Sequence, residues 1–193
     1  EPDALIGAPA ADGPDGSRVD AGEAYVIFGP LEGARDAGKG QTDITIFGAL
    51  PGDGLGFTVL AGDLNDDGKD DVLAGAPGVT AGFDPRSDQG RVYVFYGGKD
   101  IEKKSQLDLA SDVYDFTVTG AEGFSRLGDA IALGDVNGDE KTDLVAGAPF
   151  AGRAVGSPPG SARPTLGEVY VVFGGVDLFG ELNIAATAPD VLL

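Results

Sequence analysis

Short apolar runs recur along this chain, separated by stretches of Gly, Pro and Asp. Ala4-Leu5-Ile6, Val72-Leu73-Ala74 and Leu144-Val145-Ala146 each lead into Gly-Ala-Pro, at Gly7-Ala8-Pro9, Gly75-Ala76-Pro77 and Gly147-Ala148-Pro149. A polar loop follows, then a second run ending in Gly: Tyr25-Val26-Ile27-Phe28-Gly29, Tyr93-Val94-Phe95-Tyr96-Gly97 and Tyr170-Val171-Val172-Phe173-Gly174. Thr45-Ile46-Phe47-Gly48-Ala49 and Thr117-Val118-Thr119-Gly120-Ala121 form a third matched pair. Runs this short, rich in β-branched and aromatic residues and bounded by turn formers, predict strands rather than helices. Pro9, Pro77 and Pro149 cannot donate to a ladder, so each marks a strand end.

The runs are in register. The three Gly-Ala-Pro copies are offset by 68 and 72 residues, and Leu55-Gly56 recurs 72 residues later as Leu127-Gly128. Repeats of about 70 residues with some four strands each are the signature of β-propeller blades. The expected fold is therefore all-β, with about three propeller-type blades, incomplete at both ends. It forms one domain over 1–193, with approximate repeats 1–55, 56–127 and 128–193.

Just before the second and third Gly-Ala-Pro lie two acidic loops that share the pattern D-x-N-x-D-x-x-x-D. One offers Asp63, Asn65, Asp67 and Asp71, with the Lys69 carbonyl at position 7. The other offers Asp135, Asn137, Asp139 and Asp143, with the Lys141 carbonyl. Alternate oxygen ligands let a curling loop converge on one hard cation, so both loops are expected to bind Ca²⁺. Position 12, which carries the bidentate Glu of an EF-hand, is Ala74 in one loop and Ala146 in the other. The flanks read as strands, so each loop is the tip of a β-hairpin. Position 6 is Gly68 in the first loop and Glu140 in the second. A non-Gly residue held at positive φ costs on the order of 1 kcal/mol, which predicts a weaker second site.

Composition narrows the chemistry. There is no His and no Cys, which removes disulfides, thiolate metal sites and imidazole triads. The net charge is −19, and 24 of the 32 acids are Asp. That balance argues against nucleic acid as a partner. No apolar run is long enough to span a bilayer. Catalysis by a carboxylate pair is not expected, because the aligned acids are already claimed by the calcium pattern. The long polar loops 10–22, 78–90 and 150–167 fall at equivalent places, so they are expected on one face as the surface for a protein or glycan ligand.

The segments from Leu55-Gly56 through Gly75-Ala76-Pro77 and from Leu127-Gly128 through Gly147-Ala148-Pro149, each followed by Tyr-Val-x-x-Gly, resemble the FG-GAP repeat. The resemblance is to integrin alpha-subunit propellers and to the repeats of glycosylphosphatidylinositol-specific phospholipase D. It implies Ca²⁺ bound by the ten residues named above, an extracellular or cell-surface location, adhesion or recognition, and usually about seven blades. Asp3 aligns with Asp71 and Asp143, and Glu181-Leu182-Asn183-Ile184 matches Gln106-Leu107-Asp108-Leu109. Three blades are too few to close such a ring. The chain then reads as a piece of a longer propeller, as a self-assembling subunit whose end strands complete a blade in a neighbour, or as a small open module.

Overall fold

The computed structural model describes residues 3–78, 89–111, 114–121, 123–152 and 166–193. Strand formation follows the apolar runs. The first sheet contains β1 (Ala4–Ala8), β2 (Glu23–Ile27) and β3 (Ile44–Phe47). The second contains β4 (Thr58–Gly62), β5 (Asp71–Ala76) and β6 (Arg91–Phe95). Its connection then carries a short strand β7 (Gln106–Asp108) before β8 (Phe116–Thr119). The third contains β9 (Ala130–Gly134), β10 (Asp143–Ala148) and β11 (Glu168–Val172). Its connection carries β12 (Gly180–Asn183), and β13 (Val191–Leu192) ends it. Within each sheet these strands form an antiparallel meander.

Two strands cross between sheets. β7 pairs in parallel with β3 of the first sheet, and β12 pairs in parallel with β8 of the second. The matched sequences Gln106-Leu107-Asp108 and Glu181-Leu182-Asn183 thus do one job: each reaches back and covers the outer edge of the preceding sheet. Edge coverage protects unpaired backbone groups from adventitious pairing. The expected four strands per blade become five in the second sheet because of this crossing. Arg18 fixes the first crossing. Its Nη1 and Nη2 donate to the two carboxylate oxygens of Asp108, both at 2.7 Å, and Nη1 also donates to the Gly48 carbonyl at 2.6 Å.

The sheets stack face to face, and the core lies between them. In β6, Val92 and Val94 join the cluster shared with the third sheet, which includes Leu73, Leu144, Tyr170 and Val172. The alternate residues Tyr93 and Phe95 join the cluster shared with the first sheet, with Val26, Ile44 and Ile46. Successive strand residues point to opposite faces, so a strand buried on both sides must be apolar at every position. Each such buried side chain contributes about 1.5–3 kcal/mol. The innermost strands β1, β4 and β9 lie side by side, as at the hub of a propeller. Among the described residues the three sheets do not close into a ring.

Glycine permits the tight approach of neighbouring blades. The Gly128 carbonyl oxygen sits where a Cβ on Gly75 would be, 2.3 Å from it, and the Gly56 carbonyl takes the same place against Gly7 at 1.9 Å. Thr58 Oγ1 donates to the same Gly128 carbonyl at 2.8 Å. In its first two copies Gly-Ala-Pro is therefore an interblade contact as well as a strand end. Leu55 and Leu127, fully buried, lead into β4 and β9 and bridge to Gly22 and Gly90.

Candidate metal centre

Both acidic loops form the tips of hairpins, β4–β5 and β9–β10, at one end of adjacent sheets. The loop side chains at positions 1, 3 and 5 turn inward over their own backbone. Asp63 accepts from Asp67 N–H at 3.0 Å and from Gly68 N–H at 2.8 Å. Asn65 Oδ1 accepts from Asp67 N–H at 3.0 Å, and Asp67 Oδ1 from Lys69 N–H at 2.9 Å. The second loop repeats the pattern. Asp135 accepts from Asp139 N–H at 3.2 Å and from Glu140 N–H at 3.0 Å. Asn137 accepts from Asp139 N–H at 2.8 Å, and Asp139 from Lys141 N–H at 3.0 Å. Asp135 also accepts from Gly138 N–H at 2.6 Å.

Position 9 is built differently. Asp71 and Asp143 are fully buried at the base of each hairpin. Asp71 Oδ2 accepts from Leu64 N–H at 2.9 Å and Oδ1 from Gly97 N–H at 2.9 Å. Asp143 does the same with Val136 N–H at 2.9 Å and Gly174 N–H at 3.0 Å. Each carboxylate therefore ties the start of its loop to the end of the third strand in its sheet. Burial pushes the Asp71 carboxyl above the usual range against the pull of these N–H donors, and the nearby Asp63 carboxylate adds to the rise. At the exposed tips the shift reverses. The Lys69 ammonium, bonded to Asp67 Oδ2 at 3.0 Å, holds Asp67 below the usual range, and the Gly138 N–H does so for Asp135.

The donor set fits a hard cation. Every candidate side-chain ligand offers oxygen, and no imidazole or thiolate competes. Positions 1, 3 and 5 are gathered together in each loop, while position 9 stands at the base and is engaged with backbone N–H groups. Among the described residues no three acidic side chains stand as a ready-made cage. The Asn at position 3 and the carbonyl at position 7 would have to supply part of any coordination sphere.

Strain is distributed otherwise than position 6 alone suggests. Positions 4 and 6 are both left-handed in both loops: Asp66 (φ 62°) and Gly68 (φ 83°), Gly138 (φ 82°) and Glu140 (φ 69°). Each loop thus holds one Gly and one non-Gly residue there. Asp tolerates this region better than Glu, so the second loop keeps a smaller handicap than position 6 by itself implies.

Sequence reasoning passed over position 2. Leu64 is fully buried in the core between the second and third sheets, and its carbonyl accepts from Gly175 N–H at 2.9 Å. The signal was present, since position 2 is apolar in both loops (Leu64, Val136). It also passed over an aromatic stack at the opposite end of the blades. The Arg126 guanidinium lies 5.6 Å from the Phe57 ring and 5.7 Å from the Phe150 ring, and Nη2 bonds Asp129 at 2.6 Å. Of the long loops, Phe83, Arg86, Arg153, Pro158, Pro159, Gly160, Arg163 and Pro164 lie outside the described residues, as do most of 78–90 and 150–167.

Known proteins are similar to parts of this chain. The chain is 32% identical over 157 residues to phosphatidylinositol-glycan-specific phospholipase D of Bos taurus, covering 77% of this chain and 17% of that protein. It is 42% identical over 103 residues to integrin alpha-5 of Xenopus laevis, covering 52% of this chain and 9% of that protein. Against human integrin alpha-8 it is 34% identical over 140 residues, covering 66% of this chain and 12% of the relative. The chain thus spans less than a fifth of each of these proteins. Residues 55–95 and 127–172 match the FG-GAP repeat family, on the two sheets that carry the acidic loops. With the strands and the loops repeating in step, the chain carries FG-GAP repeats over these two stretches.

Proposed function

We propose that the chain is an extracellular recognition or adhesion module whose blades are stabilised by Ca²⁺ at the two hairpin tips. The observation that carries this reading is the repetition of one geometry in two loops. Asp63, Asn65 and Asp67, and their counterparts Asp135, Asn137 and Asp139, turn oxygen atoms onto the same loop amides. Folding crowds these carboxylates together, and a divalent cation offsets their repulsion. The Lys69 and Lys141 carbonyls and the carboxylates of Asp71 and Asp143 would complete the coordination. The ions are structural in this reading, and no catalytic role is assigned to the chain.

Recognition would occur at the other end of the blades. Phe57, Phe124 and Phe150 are exposed there beside Arg126. Phe124 and Arg126 also adopt left-handed backbone conformations, at φ 65° and 56°. Non-Gly residues in that region concentrate at functional sites. The relatives with integrin names support a protein partner over a glycan.

Thermal unfolding tests the metal reading. A ligand that binds only the native state adds about 2.7 kcal/mol per site at 100-fold excess over Kd. Asp67→Ala should lower the melting temperature in calcium and leave it nearly unchanged in chelator. An equal loss in both conditions would refute the site.

A further inference from the structure

The chain holds three asparagines, Asn65, Asn137 and Asn183, and of these Asn137 alone is followed by glycine. Asn137 and Gly138 occupy positions 3 and 4 of the second acidic loop, and both are exposed. Gly138 is left-handed at φ 82°, and no atom lies within 4 Å of the place that a Cβ would take on it. The backbone nitrogen that follows Asn137 is thus unscreened by any side chain of its own residue. Asn65 is followed instead by Asp66, and Asn183 by the β-branched Ile184, whose side chains crowd the corresponding nitrogens.

The atoms that an attack of this nitrogen on the side-chain amide would use are already in polar contact. Gly138 N–H donates to Asp135 Oδ1 at 2.6 Å, which places electron density on the nitrogen. Asn137 Oδ1 accepts from Asp139 N–H at 2.8 Å. That donor draws density from the amide carbon and steadies negative charge growing on Oδ1. Asn137 Nδ2 donates to Asp139 Oδ2 at 3.1 Å, so the network fixes which end of the amide points where.

We propose that Asn137-Gly138 is a self-modification site, at which the asparagine amide is lost through a cyclic imide. Gly138 N gives its proton to water and bonds to Asn137 Cγ. The Cγ–Nδ2 bond breaks, and Nδ2 takes a proton from water and leaves as ammonia. Water then opens the imide at either carbonyl. Opening at Cγ leaves an aspartyl residue at position 137. Opening at the backbone carbonyl leaves an isoaspartyl residue, with an extra carbon in the main chain. The net change is ammonia out and water in. Either product adds a negative charge to a loop that already holds Asp135, Asp139, Glu140 and Asp143. The first loop keeps its amide, so the two loops diverge as the protein ages. No step uses a metal, so the inference stands apart from the calcium reading.

The test incubates the whole chain with chelator at neutral pH, with samples taken over weeks and cut with trypsin. Cleavage after Arg126 and Lys141 places Asn137 in the peptide 127–141. Mass spectrometry then follows loss of the amide, and labelling by an isoaspartyl methyltransferase follows the isoaspartyl product. Position 137 should convert at least about tenfold faster than Asn65 or Asn183, the ratio given by a barrier difference of ~1.4 kcal/mol. Gly138→Ala should slow it by a similar factor. Alanine is strained in a left-handed conformation, so the same change is also made in a synthetic peptide of residues 127–141, which should slow likewise. Isoelectric focusing of the intact chain should show a more acidic form growing with time, and the Asn137→Asp chain should focus there from the start. An amide kept at position 137 in the folded chain while the free peptide loses it would overturn the proposal. So would conversion no faster than at Asn65 and Asn183, or a Gly138→Ala chain and peptide that convert at the parental rate.

Discussion

Leu64 and Val136 occupy the same position in matched loops, yet the structure gives them opposite environments. Leu64 is fully buried between two sheets, whereas Val136 is 54% exposed. Leu64→Ala removes three carbons from a closed core. The transfer loss is about 2.4 kcal/mol at ~0.8 per methylene, and the residual cavity raises the total to about 3 kcal/mol. For a domain of this size that lowers the melting temperature by roughly 6–12 °C. Val136→Ala removes less from a half-exposed site and should cost under about 0.5 kcal/mol. Both variants should be melted with calcium in excess, followed by circular dichroism, with denaturant titration to give the free energies. Equal shifts for the two, or a Leu64→Ala loss within about 0.5 kcal/mol of zero, would refute the interblade packing argument.

Two of the Gly-Ala-Pro glycines make a similar comparison. Gly75→Ala should cost at least about 2 kcal/mol by overpacking, because its Cβ would lie 2.3 Å from the Gly128 carbonyl. Gly147→Ala should be tolerated in the same denaturant assay, since the nearest atom there is 3.6 Å away. Replacing the left-handed residue of the second loop, Glu140→Gly, should stabilise by up to about 1 kcal/mol, read from the unfolding midpoint. The Arg18 guanidinium holds the Asp108 carboxyl below the usual range, chiefly through their hydrogen bonds. Its folded pKa is therefore below the unfolded value of about 3.9. The stabilisation is present above that value and is lost as pH falls through the folded pKa. Asp108→Asn should thus be less stable than the parent at pH 7, and the gap should close under acid; a gap independent of pH would break the assignment.

Much of this protein was readable along the chain, because its signals are local. Short β-branched and aromatic runs bounded by turn residues placed the strands, and Gly-Ala-Pro marked the ends of β1, β5 and β10. Two copies of D-x-N-x-D-x-x-x-D in register located the hairpin tips. The equivalence of Gln106-Leu107-Asp108 and Glu181-Leu182-Asn183 was visible too, but not its purpose. Only the tertiary structure sends β7 and β12 back across to the preceding sheet, since pairing between segments some 60 residues apart leaves no local trace. The double burial of β6 and the carbonyls set against Gly7 and Gly75 depend on the stacking of the sheets, and the roles of Asp71 and Asp143 on the return of a third strand to the hairpin base. The chain carries its repeat as a period in sequence. Which copy is buried, strained or open is decided by whether another blade packs against it, and one repeat cannot encode its neighbour.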